Sequence, residues 1–231
     1  MGPEPAQSTP DHDPGAKRMQ GPHFMRLLAL LLVMIAVTPV MEEFLRIPFL
    51  EEVLFTAIFA YSIYSLGLGR RLMALGLCLA IPAVLFIWLG VRRPESGFAL
   101  ASHLCGAGFI ALIVFLILRH IFRRRDVDAD TIAASIVAYL LMAVMWGLVY
   151  QVIHILIPGS FHFPAGTEPN PTVFRYFSLV TITTVGYGDM VPLSKAARGF
   201  ANLEAVVGQI YLVILVSWLV GMYVSARAGR R

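Results

Sequence analysis

Long apolar runs, separated by short polar or glycine- and proline-containing joints, dominate the chain. A helix needs about 20 residues, rising 1.5 Å each, to cross a hydrocarbon core of about 30 Å. Six runs along the chain meet that requirement. The pattern therefore predicts six membrane-spanning helices, at about residues 24–41, 49–67, 72–91, 98–121, 131–157 and 198–224.

A seventh apolar segment, residues 171–183, is too short to cross. Asn170 is a good N-cap and Pro171 suits the first turn, so the segment is predicted to be helical. Thirteen residues extend only about 20 Å, so this helix should enter the membrane and return. A returning backbone is tolerated there only if protein buries it or if it lines a water-filled path. The "TVGYG" strand that follows is therefore predicted to face something polar.

The composition agrees with an integral membrane protein. Of 231 residues, 58% are hydrophobic and 14% are charged, and the mean hydropathy is +0.76. The net charge of +4 comes from basic clusters between apolar runs, which indicate topology rather than a nucleic-acid partner. Cys78 and Cys105 lie inside apolar runs, where free cysteine behaves as a small apolar residue.

The distribution of lysine and arginine predicts that both termini are cytoplasmic. With that orientation, twelve of the eighteen basic residues face the cytoplasm and six face outward. The outward set is Arg46, Arg92, Arg93, Arg175, Lys195 and Arg198. The small size of the chain suggests a bacterial inner membrane.

Five regions are predicted from these patterns. Residues 1–23 carry prolines and charges without apolar periodicity, which predicts a disordered tail. A secretory signal is disfavoured because its charged leader would be unusually long and acidic. The regions are the tail 1–23, a four-helix transmembrane domain 24–122, a cytoplasmic linker 123–130, a helix–loop–helix unit 131–225 and a C-terminal tail 226–231.

The glycines of the strand suggest why it faces something polar. Gly186 and Gly188 alternate with Val185 and Tyr187, and glycine adopts left-handed backbone angles at little steric cost. Alternating such angles with ordinary ones turns successive carbonyl oxygens to the same side. A stack of oxygens suits a hard monovalent cation that sheds its water, and Thr184 can add a hydroxyl at the inner end.

At this point the sequence resembles a known family. "TTVGYGD", Thr183 to Asp189, matches the selectivity filter of tetrameric potassium channels at every position, and the resemblance covers about residues 131–225. It implies an all-α homotetramer with a re-entrant pore helix and filter between the fifth and sixth spans. It also implies K+ as the permeant ion, three identical subunits and lipid as partners, and no cofactor. The filter would comprise Thr184, Val185, Gly186, Tyr187 and Gly188, with K+ held by the first four.

The resemblance also assigns roles around the filter. Asp189 would stand at the outer mouth, and Tyr176 and Phe177 would brace the outward side chains of Val185 and Tyr187. Thr181 and Thr183 would support the end of the pore helix, with Thr183 bordering the inner cavity. Some family members pair the aspartate with a pore-helix glutamate. The matching position here is Val180, so we expect no such pairing, although Tyr176 could donate to Asp189.

Two positions on the last span have alternative interpretations. Gly208 falls where the family has a gating hinge, but it is equally consistent with close helix packing. Glu204 is a functional candidate because an ionisable group inside a membrane is costly. A hydrogen bond from Glu204 to the pore helix or to a neighbouring subunit is the favoured interpretation.

Six spans with the filter before the last one is the layout of voltage-gated channels. The fourth span, however, has no lysine or arginine between Phe98 and Leu118. A voltage sensor needs several charges, because each gains about 2.3 kcal/mol per 100 mV. The first four helices are therefore predicted to form a structural annex, assembly surface or lipid-facing brace.

Two other functional classes are less consistent with the sequence than a potassium channel. A K+ uptake or transporter subunit with a filter-like loop is the alternative, but such chains usually carry several degenerate copies and this one carries a single intact copy. An enzyme is not supported, because the sequence contains no HExxH or GxSxG motif and no phosphate-binding glycine loop.

Overall fold

The computed structural model describes residues 23–44, 50–66, 70–92, 96–123 and 128–228. These residues form seven helices, with a two-residue strand on each side of the sixth helix. The helices are α1 (His23–Phe44), α2 (Leu50–Leu66), α3 (Arg70–Arg92), α4 (Ser96–Arg123), α5 (Ala129–Leu156), α6 (Pro171–Ile182) and α7 (Lys195–Ala228). The strands are β1 (Phe161–His162) and β2 (Val191–Pro192).

Six of these helices lie at the six long apolar runs. Within the described residues, α1, α3, α4, α5 and α7 are long and apolar enough to cross a membrane. α2 is shorter, with 17 residues. The prediction of an all-α membrane protein is confirmed to this extent, and a crossing by α2 stays a prediction.

Several predicted boundaries differ from the structure or lie outside it. Residues 1–22, 124–127 and 229–231, which include most of the predicted tails and linker, are outside the described residues. α1, α3, α4 and α7 run one to four residues past their predicted ends, whereas α2 is one residue shorter at each end and α5 ends one residue early. His23 already belongs to α1, and α7 continues through residues 226–228, which were assigned to the C-terminal tail. Alanine and arginine in that stretch are good helix formers, so the helix has no local reason to end at residue 225.

α5 is the central helix and contacts α1, α4, α6 and α7. It begins with Asp128 as N-cap, whose carboxylate accepts from the Thr131 backbone N–H at 2.8 Å. Two-thirds of its apolar span, 67%, is buried, against 11% of the α7 span. α7 therefore presents most of its surface away from the described chain.

The core between the helices is built from side chains spaced three or four residues apart. This spacing places them on one face of each helix. The α1 face consists of Phe24, Leu27, Leu31 and Met34, and the α4 face of Phe109, Ile113, Ile117 and Ile121, all at most 2% exposed.

The two short strands close the chain around α6. They pair antiparallel, Phe161 with Pro192 and His162 with Val191. The Leu193 backbone N–H also donates to the Ser160 carbonyl at 2.8 Å. α6 and the segment after it are therefore held as a closed unit between α5 and α7. The sequence pattern did not predict these strands.

Candidate functional site

α6 is the short helix that the sequence predicted. Asn170 is its N-cap, accepting from the Val173 backbone N–H at 2.8 Å, and Pro171 occupies the first turn. The predicted helix at residues 171–183 is confirmed, ending at Ile182 with Thr183 as C-cap. Twelve residues extend about 18 Å, so α6 is too short to cross a membrane.

The last four carbonyl groups of α6 all accept hydrogen bonds, although a helix end normally leaves them without partners. The backbone N–H of Thr183 bonds to Leu179 at 3.1 Å, and that of Thr184 bonds to Thr181 at 3.0 Å. The Val180 carbonyl accepts from two N–H groups, of residues 185 and 186. The Tyr139 hydroxyl donates to the Ile182 carbonyl at 2.9 Å.

Side chains reinforce this helix end. The Thr181 hydroxyl donates to the Phe177 carbonyl at 2.8 Å, and the Thr183 hydroxyl donates to the Leu179 carbonyl at 2.6 Å. The chain is thus turned back sharply after α6 and tied to its final turn.

Residues 184–188 alternate between left-handed and ordinary backbone angles. Positive φ occurs at Thr184 (59°), Gly186 (58°) and Gly188 (78°), with Val185 and Tyr187 between them. The two glycines were expected to adopt such angles, but Thr184 was not. Left-handed angles cost an L-residue about 1–2 kcal/mol, so the surrounding hydrogen bonds must hold Thr184 in place.

The carbonyl oxygens of residues 184–187 differ from those just before them. In the described part of the chain they accept no hydrogen bond, whereas the last four carbonyls of α6 all do. Residues 183–189 are all exposed. Backbone carbonyls require a partner wherever water is excluded, so these four oxygens are available to a ligand.

Tyr176 fastens the outer end of this segment to α6. Its ring stacks on that of Tyr187, with centroids 6.4 Å apart and planes 5° apart. Its hydroxyl donates to the Asp189 carboxylate at 2.7 Å, which confirms the contact considered from the sequence. This hydrogen bond lowers the pKa of Asp189 below its ordinary 3.8 and raises the pKa of Tyr176 to about 12.

Phe177 does not share the role that was predicted for it beside Tyr176. Its ring lies against Tyr150 and Phe161, at centroid distances of 5.0 and 5.6 Å. Successive helix residues point about 100° apart, so neighbours on α6 cannot brace the same face. Phe177 instead anchors α6 to α5 and β1 from behind.

Glu204 on α7 is fully buried and joins three helices. Its carboxylate accepts hydrogen bonds from the hydroxyls of Tyr150 on α5 and Ser178 on α6. Ser178 also donates to the Ala143 carbonyl at 2.7 Å. The interpretation of Glu204 as a hydrogen-bonding partner of α6 is confirmed, while the contribution of Tyr150 was not predicted.

Gly208 lies where α7 crosses the end of α6. A Cβ at this position would stand 2.6 Å from Ile182 Cγ1 and 2.9 Å from the Ile182 carbonyl oxygen. Real Cβ atoms do not approach a backbone oxygen that closely, so glycine is required by packing alone. A hinge motion at Gly208 stays a prediction.

We expect Gly208→Ala to destabilise the protein by about 1–3 kcal/mol, because overpacking forces backbone shifts. Gly199→Ala is the matched control, since a Cβ there meets no heavy atom within 4 Å. Thermal unfolding of both variants in detergent checks this. Equal melting temperatures would contradict the close-packing role.

Arg175 is the largest departure from the sequence prediction. It was counted among the outward-facing topology charges, yet it is 4% exposed and forms an ion pair with Glu51 of α2. No local signal reveals this contact, because the partners are 124 residues apart.

Residues 136–225 match the family model described as "Ion channel". The chain is 33% identical over 85 residues to "Two pore potassium channel c" of Oryza sativa subsp. japonica, covering 37% of this chain and 17% of the relative. It is 36% identical over 75 residues to "Potassium voltage-gated channel protein shk-1" of Caenorhabditis elegans, covering 30% and 14%.

A third relative is bacterial. The chain is 38% identical over 96 residues to "Voltage-gated potassium channel Kch" of Escherichia coli (strain K12), covering 41% of this chain and 21% of the relative. The chain thus spans only a small part of the length of these relatives. No solved structure matches. The family model and the three relatives are those of ion channels, and with the apolar helices of the described residues the similarity fits a multi-pass membrane protein.

Proposed function

We propose, since residues 136–225 match the "Ion channel" family model, that this chain is a subunit of a potassium-selective channel that conducts K+ passively. The observation that carries the proposal is the backbone of residues 184–188. Its left-handed angles recur at every second residue, and its carbonyl oxygens have no partner within the described chain. Rings of backbone carbonyls that replace the hydration shell of K+ are the basis of potassium selectivity.

In this proposal, K+ is coordinated by the carbonyls of Thr184, Val185, Gly186 and Tyr187, with the Thr184 hydroxyl at the inner end. Gly188 completes the filter, and Asp189 stands at its outer mouth. α6 is the pore helix, entering the membrane and returning between the spans α5 and α7. The fixed dimensions of the site come from the hydrogen bonds that tie Thr184 and Val185 to the last turn of α6.

Four copies of the chain are needed to close such a site. One copy supplies oxygens from one side only, and a single filter per chain implies cyclic symmetry. Val185 and Tyr187 are 52% and 71% exposed on one chain. α7 is likewise mostly exposed. Both features fit a homotetramer in which three identical subunits cover these surfaces.

We further propose that opening does not depend on voltage. α4, the fourth long helix, carries no lysine or arginine between Phe98 and Leu118. Two of the relatives are named as voltage-gated, so this distinguishes the chain from them. Conductance that rises steeply with voltage in magnesium-free bilayers would contradict it. The orientation, with cytoplasmic termini in a bacterial inner membrane, belongs to the same proposal.

The hydrogen bond from Tyr176 to Asp189 should stabilise the conducting filter. We expect Tyr176→Phe to keep the ring stacked on Tyr187 and to reduce the open probability about fivefold, as expected for a loss of about 1 kcal/mol. Single-channel recording measures this. An unchanged open probability would show that the bond does not support the filter.

The same bond has a defined pH range. Because the pKa of Asp189 is lowered, its contribution is fully present above the ordinary pKa of 3.8 and is lost only as pH falls through the lowered value. Between pH 5 and 9 the effect of Tyr176→Phe should therefore be constant. A strong change of that effect within this range would mean that another group titrates.

Ion flux into liposomes tests the proposed function. Purified protein is reconstituted in two sets of vesicles, one loaded with K+ and one with Na+, and the efflux of the internal cation is followed in each. We expect rapid efflux of K+ and slow efflux of Na+. Equal rates for both ions, or no flux from vesicles that contain intact protein, would refute potassium-selective conduction.

A further inference from the structure

The outer half of α6 is held by a buried ion pair. Arg175 donates through Nη1 to Glu51 Oε1 at 2.5 Å, and the two side chains are 4% and 12% exposed. Thr172, one turn earlier on α6, completes the contact. Its hydroxyl lies 3.2 Å from Arg175 Nη2 and 3.4 Å from Glu51 Oε2.

This pair connects two separate parts of the chain. Glu51 lies in the first turn of α2, among the four helices upstream of the ion-channel match, and Arg175 lies inside that match. A buried ion pair is a poor source of net stability, because desolvation offsets the attraction between the charges. It is, however, geometrically demanding, since the planar guanidinium donates its hydrogen bonds only in certain directions. The pair therefore fixes the position of α6 relative to α2.

The same turn of α6 also contacts the outer end of the proposed filter. Arg175 is followed by Tyr176, whose side chain points about 100° away around the helix. Tyr176 stacks on Tyr187 and donates to Asp189. One turn of α6 thus contacts α2 on one side and the outer end of residues 184–189 on another.

Open space borders this turn. A cavity of about 360 Å³ lies among α2, α3, α4 and α5, and its wall includes Glu51 and Pro171. A second cavity of about 410 Å³ lies toward α1 and is lined in part by Arg175, Tyr176 and Asp189. α6 therefore has room to shift at its outer half if the ion pair breaks.

We propose that Glu51 and Arg175 are positioning residues for the filter, through which the four upstream helices set the geometry of Tyr187 and Asp189. A displacement of α2 is transmitted through the ion pair to α6, and through Tyr176 to the outer end of the filter. This inference rests on the proposed function for its effect on conduction. Its structural part, the coupling of α2 to residues 176–190, does not.

Hydrogen exchange on the purified full-length protein tests the structural part. The variants are Glu51→Gln and the double variant Glu51→Gln/Arg175→Gln, which removes the pair without leaving an unpaired buried charge. Glu52→Gln is the matched control, because Glu52 neighbours Glu51 on α2 and the structure records no contact from its side chain to Arg175. We expect exchange in residues 176–190 to accelerate about tenfold in both test variants and not in the control.

Single-channel recording on the same variants tests the effect on conduction. We expect open probability to fall about tenfold in both test variants, while the unitary conductance and the mobility on a native gel stay unchanged. Unaltered exchange in the double variant overturns the inference whether or not the protein conducts K+. Accelerated exchange together with unaltered open probability in an active channel overturns its role in positioning the filter. Absence of any K+ current in the unmutated protein would refute the proposed function and leave the exchange result to decide the coupling.

Discussion

Replacing Gly186 with alanine is expected to abolish potassium-selective conduction while leaving the protein assembled. Gly186 has a φ of 58°, and an L-residue held at such angles costs about 1–2 kcal/mol. The substitution creates no clash, because a Cβ there meets no heavy atom within 4 Å of the chain. The strain is therefore relieved by rotation of the backbone, which turns the carbonyls away from the ion path.

A matched control distinguishes the effect of backbone strain itself from the effect of strain at the proposed filter. Gly166 also has positive φ, 80°, and open space around its Cβ direction, but it lies in the loop before α6. Gly166→Ala should carry a similar backbone cost and leave selectivity intact. Reversal potentials in K+ and Na+, together with native gels, measure both variants. Potassium selectivity that survives Gly186→Ala would show that the proposed coordinating residues are wrong.

Removing the carboxylate of Glu204 is expected to have the second largest effect, on folding rather than on selectivity. Glu204→Leu fills a similar volume but leaves the buried hydroxyl of Tyr150 without an acceptor. Leaving a buried polar group unsatisfied costs about 1–3 kcal/mol. Ser178 loses less, because it also donates to the Ala143 carbonyl. The substitution therefore removes the hydrogen bonds that join α7 to α5 and α6 through this carboxylate.

Glu204→Gln is the control for this prediction. The amide keeps an oxygen for the Tyr150 hydroxyl and nearly the same shape. We expect Glu204→Leu to lower the melting temperature of the purified protein and to weaken assembly, and Glu204→Gln to change both only slightly. If the leucine variant is as stable as the unmutated protein, the carboxylate does not hold the three helices together.

Local patterns determine which parts of this structure could be predicted. The six long helices follow from runs of apolar residues, and α6 follows from Asn170, Pro171 and the apolar residues after them. The backbone of residues 184–188 follows in part from its glycines. The positive φ of Thr184 was not predicted, because a β-branched residue is not expected there and only the hydrogen bonds to α6 hold it.

Contacts between distant segments could not be predicted. Arg175 was assigned to the outer surface because topology rules count charges without knowing their partners, and Glu51 lies 124 residues earlier. The bond from Tyr150 to Glu204 joins residues 54 apart. The direction of Phe177 depends on the crossing of α6 with α5. Such contacts depend on how helices cross, which apolar periodicity does not specify.

The most direct test of the central claim is the reversal potential of single channels formed by purified protein in bilayers, with a tenfold K+ gradient and Na+ replacing K+. We expect a reversal potential that follows the K+ gradient, by about 59 mV for each tenfold ratio, with discrete openings and no dependence on Na+. A reversal potential near zero in these solutions would contradict a potassium-selective filter at residues 184–188.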